Sequence, residues 1–106
     1  MISEISSKDF EQKVLKSKLP VLVEFYADWC GSCQNVQSIT EELIKEIGDK
    51  IRIFKINVDK ETSLASQYQV LSLPTILIFF QGQIKDQITT ELISKEKLIQ
   101  KINKVL

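Results

Sequence analysis

The segment from Val21 to Tyr26 constrains the fold of this 106-residue chain more than any other. It is a nearly continuous apolar run of strand-forming residues, interrupted only by Glu24. Such a run is typical of a strand that is covered on both faces, as in a parallel sheet. Apolar residues then recur at helical spacing from Val36 to Ile47. The sequence therefore predicts an α/β fold built around a buried central strand.

The rest of the chain alternates between strand and helix patterns, and 106 residues allow a single core. We expect one domain over residues 1–106 with the order β-α-β-α-β-α-β-β-α, forming one mixed sheet with helices on both faces. The predicted elements are a weak strand from Ile2 to Ile5, a helix capped by Ser7 that buries Phe10, Val14 and Leu15, the strand from Val21 to Tyr26, a helix stopped by Gly48, a strand from Ile51 to Val58, a short helix capped by Asp59, strands from Ile76 to Phe80 and Gln83 to Ile88 joined by a Gln81-Gly82 turn, and a helix from Ser94 whose buried face runs to Leu106.

Composition excludes several classes of protein. Fourteen basic and fourteen acidic side chains give no net charge, so general attraction to nucleic acid or an anionic membrane is absent. The chain has no histidine, the commonest general base and metal ligand. Its first residues do not resemble a signal peptide, and its longest apolar run, Ile76 to Phe80, is too short to cross a bilayer. We expect a monomeric cytoplasmic protein.

Both cysteines lie between the central strand and the helix that follows it. A cysteine at a helix N-terminus faces unpaired N–H groups and the positive end of the helix dipole, which favour the nucleophilic thiolate. Cys33 is three residues after Cys30, on the same face of the first turn and close enough to form a disulfide. We interpret Cys30 as the group that attacks a substrate disulfide and Cys33 as the group that resolves the mixed disulfide.

Two other uses of the cysteine pair compete with this interpretation. A closed zinc site needs four ligands, so it would have to draw two thiols from each of two chains. A purely structural disulfide over so short a loop stabilises a protein by only about 2 kcal/mol. The sequence favours redox chemistry over both and predicts no metal site.

Glu24 is a carboxylate inside an apolar strand, where burial is costly and raises the pKa. It precedes Cys30 by six residues, so it could lie beneath the pair and take the proton from Cys33. Without histidine, a carboxylate is the natural candidate for the base. The alternative is an edge residue that points to solvent. Lys55 in the next strand is either the partner of this carboxylate or a surface lysine with a buried stem.

Two further segments flank the predicted site. Trp29 precedes Cys30 in a turn, which favours a place beside the thiols over one in the core. Leu73-Pro74-Thr75 enters a strand, and from residues alone its proline bond is expected to be trans, because cis bonds are a minority of X–Pro bonds.

Together, Trp29-Cys30-Gly31-Ser32-Cys33, Glu24 and Leu73-Pro74-Thr75 resemble the thioredoxin family, and the likeness spans nearly the whole chain. The resemblance implies a five-stranded sheet with four helices. It also implies reduction of disulfide-containing protein substrates, with electrons from a thioredoxin reductase-like protein and no cofactor besides the cysteine pair. In the family, Pro74 would be cis and its neighbours would hold substrate as an added strand. Glu24 and Lys55 fall where the family usually has a buried aspartate and its lysine neighbour.

The sequence departs from the family pattern at several places besides Glu24, and two of them bear most directly on function. Ser32 stands where typical members have proline, and its N–H and hydroxyl could stabilise the Cys30 thiolate. We therefore expect a less reducing potential, and an oxidase- or isomerase-like relative remains an alternative, as does a non-catalytic interaction module. Thr89-Thr90-Glu91 occupies a loop where the family commonly has glycine.

Overall fold

Within residues 2–89 and 93–106, which this computed structural model describes, five strands form one mixed sheet in the order β1-β3-β2-β4-β5. Four α-helices accompany the sheet, and the predicted order of elements is confirmed. The elements are β1 (Ser3–Glu4), α1 (Ser7–Phe10) continued by a π-helical turn (Glu11–Leu15), β2 (Val21–Tyr26), α2 (Gly31–Ile47), β3 (Arg52–Asn57), α3 (Thr62–Gln67), β4 (Thr75–Phe80), β5 (Gln83–Thr89) and α4 (Lys95–Asn103).

The predicted central strand β2 lies in the middle of the sheet. It pairs in parallel with β3 and antiparallel with β4, and five of its six residues are buried. Its side chains alternate between two cores, since Leu22 packs with α2 and α4 whereas Val23 packs with α1 and α3. This cover on both faces is the reason for the continuous apolar run.

The β4–β5 hairpin also forms as predicted. Gln81 and Gly82 both have positive φ, 54° and 79°, as a two-residue turn between twisted strands requires. A β-carbon at Gly82 would in addition approach the Leu15 carbonyl oxygen to 3.2 Å. Glycine therefore serves both the turn and its packing against the end of the π-helical turn.

Several predicted helix ends are wrong. The residue at the α1 N-cap is Ser6, one position before the predicted Ser7. Glu61, rather than Asp59, is the N-cap residue of α3, because Asp59 belongs to a turn in which its N–H donates to Asn57 Oδ1 at 2.9 Å. Gly48 follows the last residue of α2 as predicted, but its φ of −64° is right-handed. Glycine suits the position for reasons of space, because a β-carbon there would clash with the Ile44 carbonyl oxygen.

The predicted buried faces need two corrections. Leu106 lies beyond the end of α4 and is 55% exposed, whereas Leu98 and Ile102 of α4 are buried as predicted. Leu15 is only partly buried, because the chain passes into a π-helical turn after Phe10 and its wider turn changes the side-chain spacing. Among the described residues, no helix combines the length and apolar character needed to cross a membrane.

Candidate active site

The two cysteines form a disulfide at the start of α2. Cys30 is the N-cap residue of the helix, with extended backbone at φ −89° and ψ 102°, and Cys33 lies in the first turn. Their Cα atoms are 5.4 Å apart, within the range that a disulfide requires. The Cys33 N–H donates to the Cys30 carbonyl oxygen at 3.2 Å. The helix start thus places both sulfurs together, as predicted from the spacing.

The disulfide is largely covered but borders an open cavity. Only 7% of Cys30 and 4% of Cys33 is exposed, and both pack with Ala27 and with the partly buried Val58 and Leu73. Beside them lies a cavity of about 180 Å³. Its lining consists of Tyr26, Ala27, Asp28, Cys30, Cys33, Gln34, Gln37 and Lys55. The cavity therefore connects the cysteine pair to a charged side chain of the neighbouring strand.

Glu24 is buried, with 2% of the residue exposed, so the alternative of a solvent-pointing edge residue is wrong. It lies two residues after Leu22 and therefore on the face of β2 that packs against α2, the helix that carries Cys33. Burial raises the pKa of Glu24 to about 7, and the positive charge of Lys55 opposes this rise. A carboxyl with such a pKa can both take up and release a proton near neutral pH.

Lys55 is adjacent to Glu24 in the register of β2 and β3. It is partly buried, and its ammonium lies 5.2 Å from the centroid of the Tyr26 ring. Since Lys55 also acts electrostatically on Glu24, the structure favours the reading in which it is the partner of that carboxylate.

Trp29 is 71% exposed, which excludes the core alternative. Its indole N–H donates to the Asp59 carboxylate at 2.9 Å, so the ring is held on the surface next to Cys30 in the chain. The indole does not line the cavity. Gly31 follows Cys30 in α2, and a β-carbon there would meet open space, so packing does not demand glycine at this position.

The Leu73-Pro74 peptide bond is cis, against the majority expectation for X–Pro bonds and as the family resemblance implies. Leu73 packs against the cluster that contains both cysteines, and Pro74 is buried. The Thr75 side chain is also buried, and its hydroxyl donates to the Ser72 carbonyl oxygen at 2.6 Å. The three residues thus form an ordered entrance to β4 close to the disulfide.

Comparison with known proteins agrees with this geometry. The thioredoxin family model matches residues 1–104. A thioredoxin of Rickettsia bellii is 41% identical over 103 residues, covering 97% of each chain. Thioredoxin 1 of Synechococcus elongatus is 40% identical over 84 residues, covering 79% of this chain and 78% of its own. Thioredoxin M4, a chloroplastic protein of Arabidopsis thaliana, is 40% identical over 87 residues, which are 82% of this chain and 45% of its own.

The chain belongs to the thioredoxin family. Its mixed sheet with four helices is the thioredoxin fold. The protein is a thiol–disulfide oxidoreductase with protein-disulfide reductase activity. The Cys30–Cys33 disulfide is its active-site disulfide. The reading as a non-catalytic module is thereby set aside.

One departure from the thioredoxin pattern has a clear structural setting. Ser32 is exposed in the first turn of α2, and its Oγ lies 3.6 Å from Cys30 Sγ. At this distance, the hydroxyl can act as a weak donor to the sulfur. Of the second departure, Thr89 ends β5, whereas Thr90 and Glu91 lie outside the described residues.

Sequence reasoning missed two residues of this thioredoxin-family site. The Tyr26 hydroxyl donates a hydrogen bond to the Glu4 carboxylate of β1, and Lys60 Nζ lies 3.6 Å from the other oxygen of that carboxylate. In the sequence, Tyr26 is the last residue of a strand in the segment that leads to Trp29, and nothing there assigns its side chain a role at the site. Glu4 carried no signal at all, because its nearness to the site depends on the pairing of β1 with β3.

Proposed function

We propose that this member of the thioredoxin family reduces protein disulfides with Cys30 as nucleophile, Cys33 as resolving thiol and Glu24 as proton acceptor. The observation that carries the proposal is the Cys30–Cys33 disulfide at the N-terminus of α2, above a strand whose buried carboxyl faces the same helix. A purely structural disulfide needs neither the N-terminus of a helix, which favours the thiolate, nor a buried carboxyl on the facing strand.

The reaction moves two electrons from the cysteine pair to the substrate. The Cys30 thiolate attacks one sulfur of the substrate disulfide, forms a mixed disulfide and releases the first substrate thiolate. Cys33 loses its proton to Glu24 and attacks the Cys30 sulfur. The Cys30–Cys33 disulfide forms, and the second substrate thiolate leaves. A thioredoxin reductase-type protein then supplies the two electrons that return the pair to thiols.

Glu24 suits the role of acceptor because of where it lies. Its burial holds the pKa at about 7, so an ionised carboxylate is available near neutral pH and its protonated form readily releases the proton afterwards. Lys55 keeps the ionised form accessible by placing a positive charge next to it in the sheet. The cavity beside the cysteines is lined by Lys55, the neighbour of Glu24 in the sheet, so water in this cavity is the proposed final acceptor of the proton.

The substrate groove is assigned to Leu73, Pro74 and Thr75. Leu73 contacts the cysteine cluster, so a peptide bound along this segment lies next to the reactive sulfurs. An extended peptide could lie along this segment as an added strand, and Trp29 would flank it. We further propose that residues 1–106 act as one monomeric domain in the cytoplasm, without nucleic-acid or membrane partners.

The test is reduction of insulin disulfides by dithiothreitol with the wild type and two serine variants. Cys30→Ser abolishes catalysis because no thiol remains to attack the substrate. Cys33→Ser is the matched control, since it removes one sulfur from the same turn but leaves the nucleophile, and it accumulates mixed disulfides that are visible by mass spectrometry. Wild-type turnover at the background rate, or full activity in Cys30→Ser, refutes the assigned roles.

Ser32 supports a less reducing potential than that of relatives with proline at this position. Proline would remove both the N–H and the nearby hydroxyl, two groups that can stabilise the Cys30 thiolate. Titration against glutathione redox buffers should give a lower potential for Ser32→Pro than for the wild type. Ser32→Ala is the matched control, because it removes only the hydroxyl. An unchanged or raised potential in Ser32→Pro contradicts the argument.

A further inference from the structure

A row of charged side chains crosses three strands beside the cysteine pair. The register aligns Glu4 of β1 with Lys55 of β3, and Lys55 with Glu24 of β2. Aligned residues of neighbouring parallel strands point to the same face of a sheet. Lys55 therefore stands between two carboxylates, one at the edge of the sheet and one in the core.

The edge carboxylate is held by two partners other than Lys55. The Tyr26 hydroxyl donates to Oε1 of Glu4, and Lys60 Nζ lies 3.6 Å from Oε2. Tyr26 reaches Glu4 by passing its ring beneath the Lys55 ammonium, which is 5.2 Å from the ring centroid. Each oxygen of Glu4 thus has its own partner, and Lys55 lies over the ring that makes one of these contacts.

We propose that Glu4 is a positioning residue for disulfide reduction, because Tyr26 and Lys60 hold its carboxylate and so limit how strongly it attracts Lys55, the neighbour of the buried Glu24. This inference rests on the proposed function, in which Glu24 accepts the proton of Cys33. Glu4 touches neither the substrate nor the sulfurs. It acts by fixing how much of the positive charge of Lys55 reaches Glu24.

The charged and titratable groups around this row are few among the described residues. The hydrogen bond from Tyr26 lowers the pKa of Glu4, and burial followed by the bond to Glu4 raises the pKa of Tyr26 to about 12. The groups that face the row or line the adjoining cavity are Glu4 from β1, Glu24 and Tyr26 from β2, Asp28 after β2, Lys55 from β3, Lys60 after β3, and Cys30, Cys33 and the uncharged Gln34 and Gln37 from α2.

Two substitutions are expected to move the titration of Glu24 in opposite directions. Glu4→Gln removes the negative charge that still attracts Lys55. More of the positive charge of Lys55 then acts on Glu24, and the midpoint of the Glu24 titration falls by about half a pH unit. Tyr26→Phe keeps the ring but frees one Glu4 oxygen to turn toward Lys55, so the midpoint rises. A purely structural contribution of these residues would not produce opposite signs.

The experiment is a pH titration of the Glu24 side-chain carboxyl by carbon NMR in the oxidised protein. Glu11→Gln is the matched control, because it makes the same charge change at a carboxylate that pairs with Lys16 and lies outside the row. Midpoints of Glu4→Gln and Tyr26→Phe that move the same way, or no further than in Glu11→Gln, overturn the proposal. Should Tyr26→Phe fail to fold, Lys60→Gln, at a side chain that is 66% exposed, frees the other Glu4 oxygen and must raise the midpoint.

A second readout separates this inference from the proposed function. The pH profile of insulin reduction is measured for the wild type, Glu24→Gln and Glu4→Gln. An unchanged pH profile in Glu24→Gln refutes the role of Glu24 as proton acceptor. It then also removes any effect of Glu4 on the reaction, whatever the NMR titration shows. A changed profile in Glu24→Gln with an unmoved one in Glu4→Gln refutes only the positioning role of Glu4.

Discussion

Replacing Glu24 by glutamine should remove a pH dependence from the stability of the oxidised protein. The pKa of this carboxyl is about 7 in the folded chain, against a reference value of 4.5, because burial disfavours the charged form more than Lys55 favours it. Only 2% of the residue is exposed, so solvent screens little of this effect. A pKa change of this size corresponds to about 3 kcal/mol.

The sign of the effect follows from which state holds the proton. Below pH 4.5 the carboxyl is protonated in both states, so it adds no pH dependence. Between pH 4.5 and about 7 the unfolded chain releases the proton while the folded chain keeps it, and the free energy of unfolding falls as pH rises. Well above pH 7 the carboxyl is ionised in both the folded and the unfolded state, and the free energy of unfolding falls no further on its account.

The measurement is urea unfolding of the oxidised wild type and Glu24→Gln between pH 5 and pH 8. The wild type should lose about 2.5 kcal/mol more than the variant over this range, because part of the full effect lies below pH 5 and glutamine does not titrate. The oxidised form is used because disulfide sulfurs do not titrate. Glu11→Gln serves as control, because Glu11 is an exposed carboxylate whose removal should leave the pH dependence of the wild type intact.

Parallel curves for the wild type and Glu24→Gln would refute the reasoning, since they would mean that Glu24 is ionised in the folded protein at pH 5. A constant difference in the free energy of unfolding between the two proteins would leave the reasoning intact, because the buried amide carries its own hydrogen-bonding cost at every pH.

Two other predictions concern the packing of α4. Leu98→Ala should lower the free energy of unfolding by about 2–5 kcal/mol, because Leu98 is fully buried in the core between the sheet, α2 and α4, whereas Leu106→Ala, the same change at an exposed residue, should have little effect in urea unfolding. Lys95→Gln should destabilise the protein at low salt and much less at high salt, because Lys95 Nζ joins α4 to α2 through Glu46 at 2.7 Å and Glu42 at 3.9 Å. A loss of stability in Lys95→Gln that does not depend on salt would contradict the role of its ion pairs. A loss in Leu106→Ala as large as in Leu98→Ala would contradict the argument from burial.

The sequence alone was sufficient for the order of the elements and for the reactive pair. The apolar run of β2, the Gln81-Gly82 turn and the Ser94 cap depend on residues that are neighbours in the chain, and all three form as predicted. Cys30 and Cys33 needed only a strand before them and a helix after them. Such features are local, so the physical rules that govern them can be applied without a fold.

The tertiary structure decided which groups surround that pair. Asp59 lies in a turn after β3 rather than at a helix cap, and its carboxylate accepts a hydrogen bond from the indole of Trp29, 30 positions earlier in the chain. The Glu4–Tyr26 hydrogen bond joins residues 22 positions apart, and it exists because β1 takes its register from β3 rather than from its own sequence. Burial raises the pKa of Glu24, and this burial depends on the packing of α2 and α4 over that face of the sheet. Local patterns determine where a reactive sulfur lies, whereas the charges that tune it come from distant parts of the chain that only packing brings together.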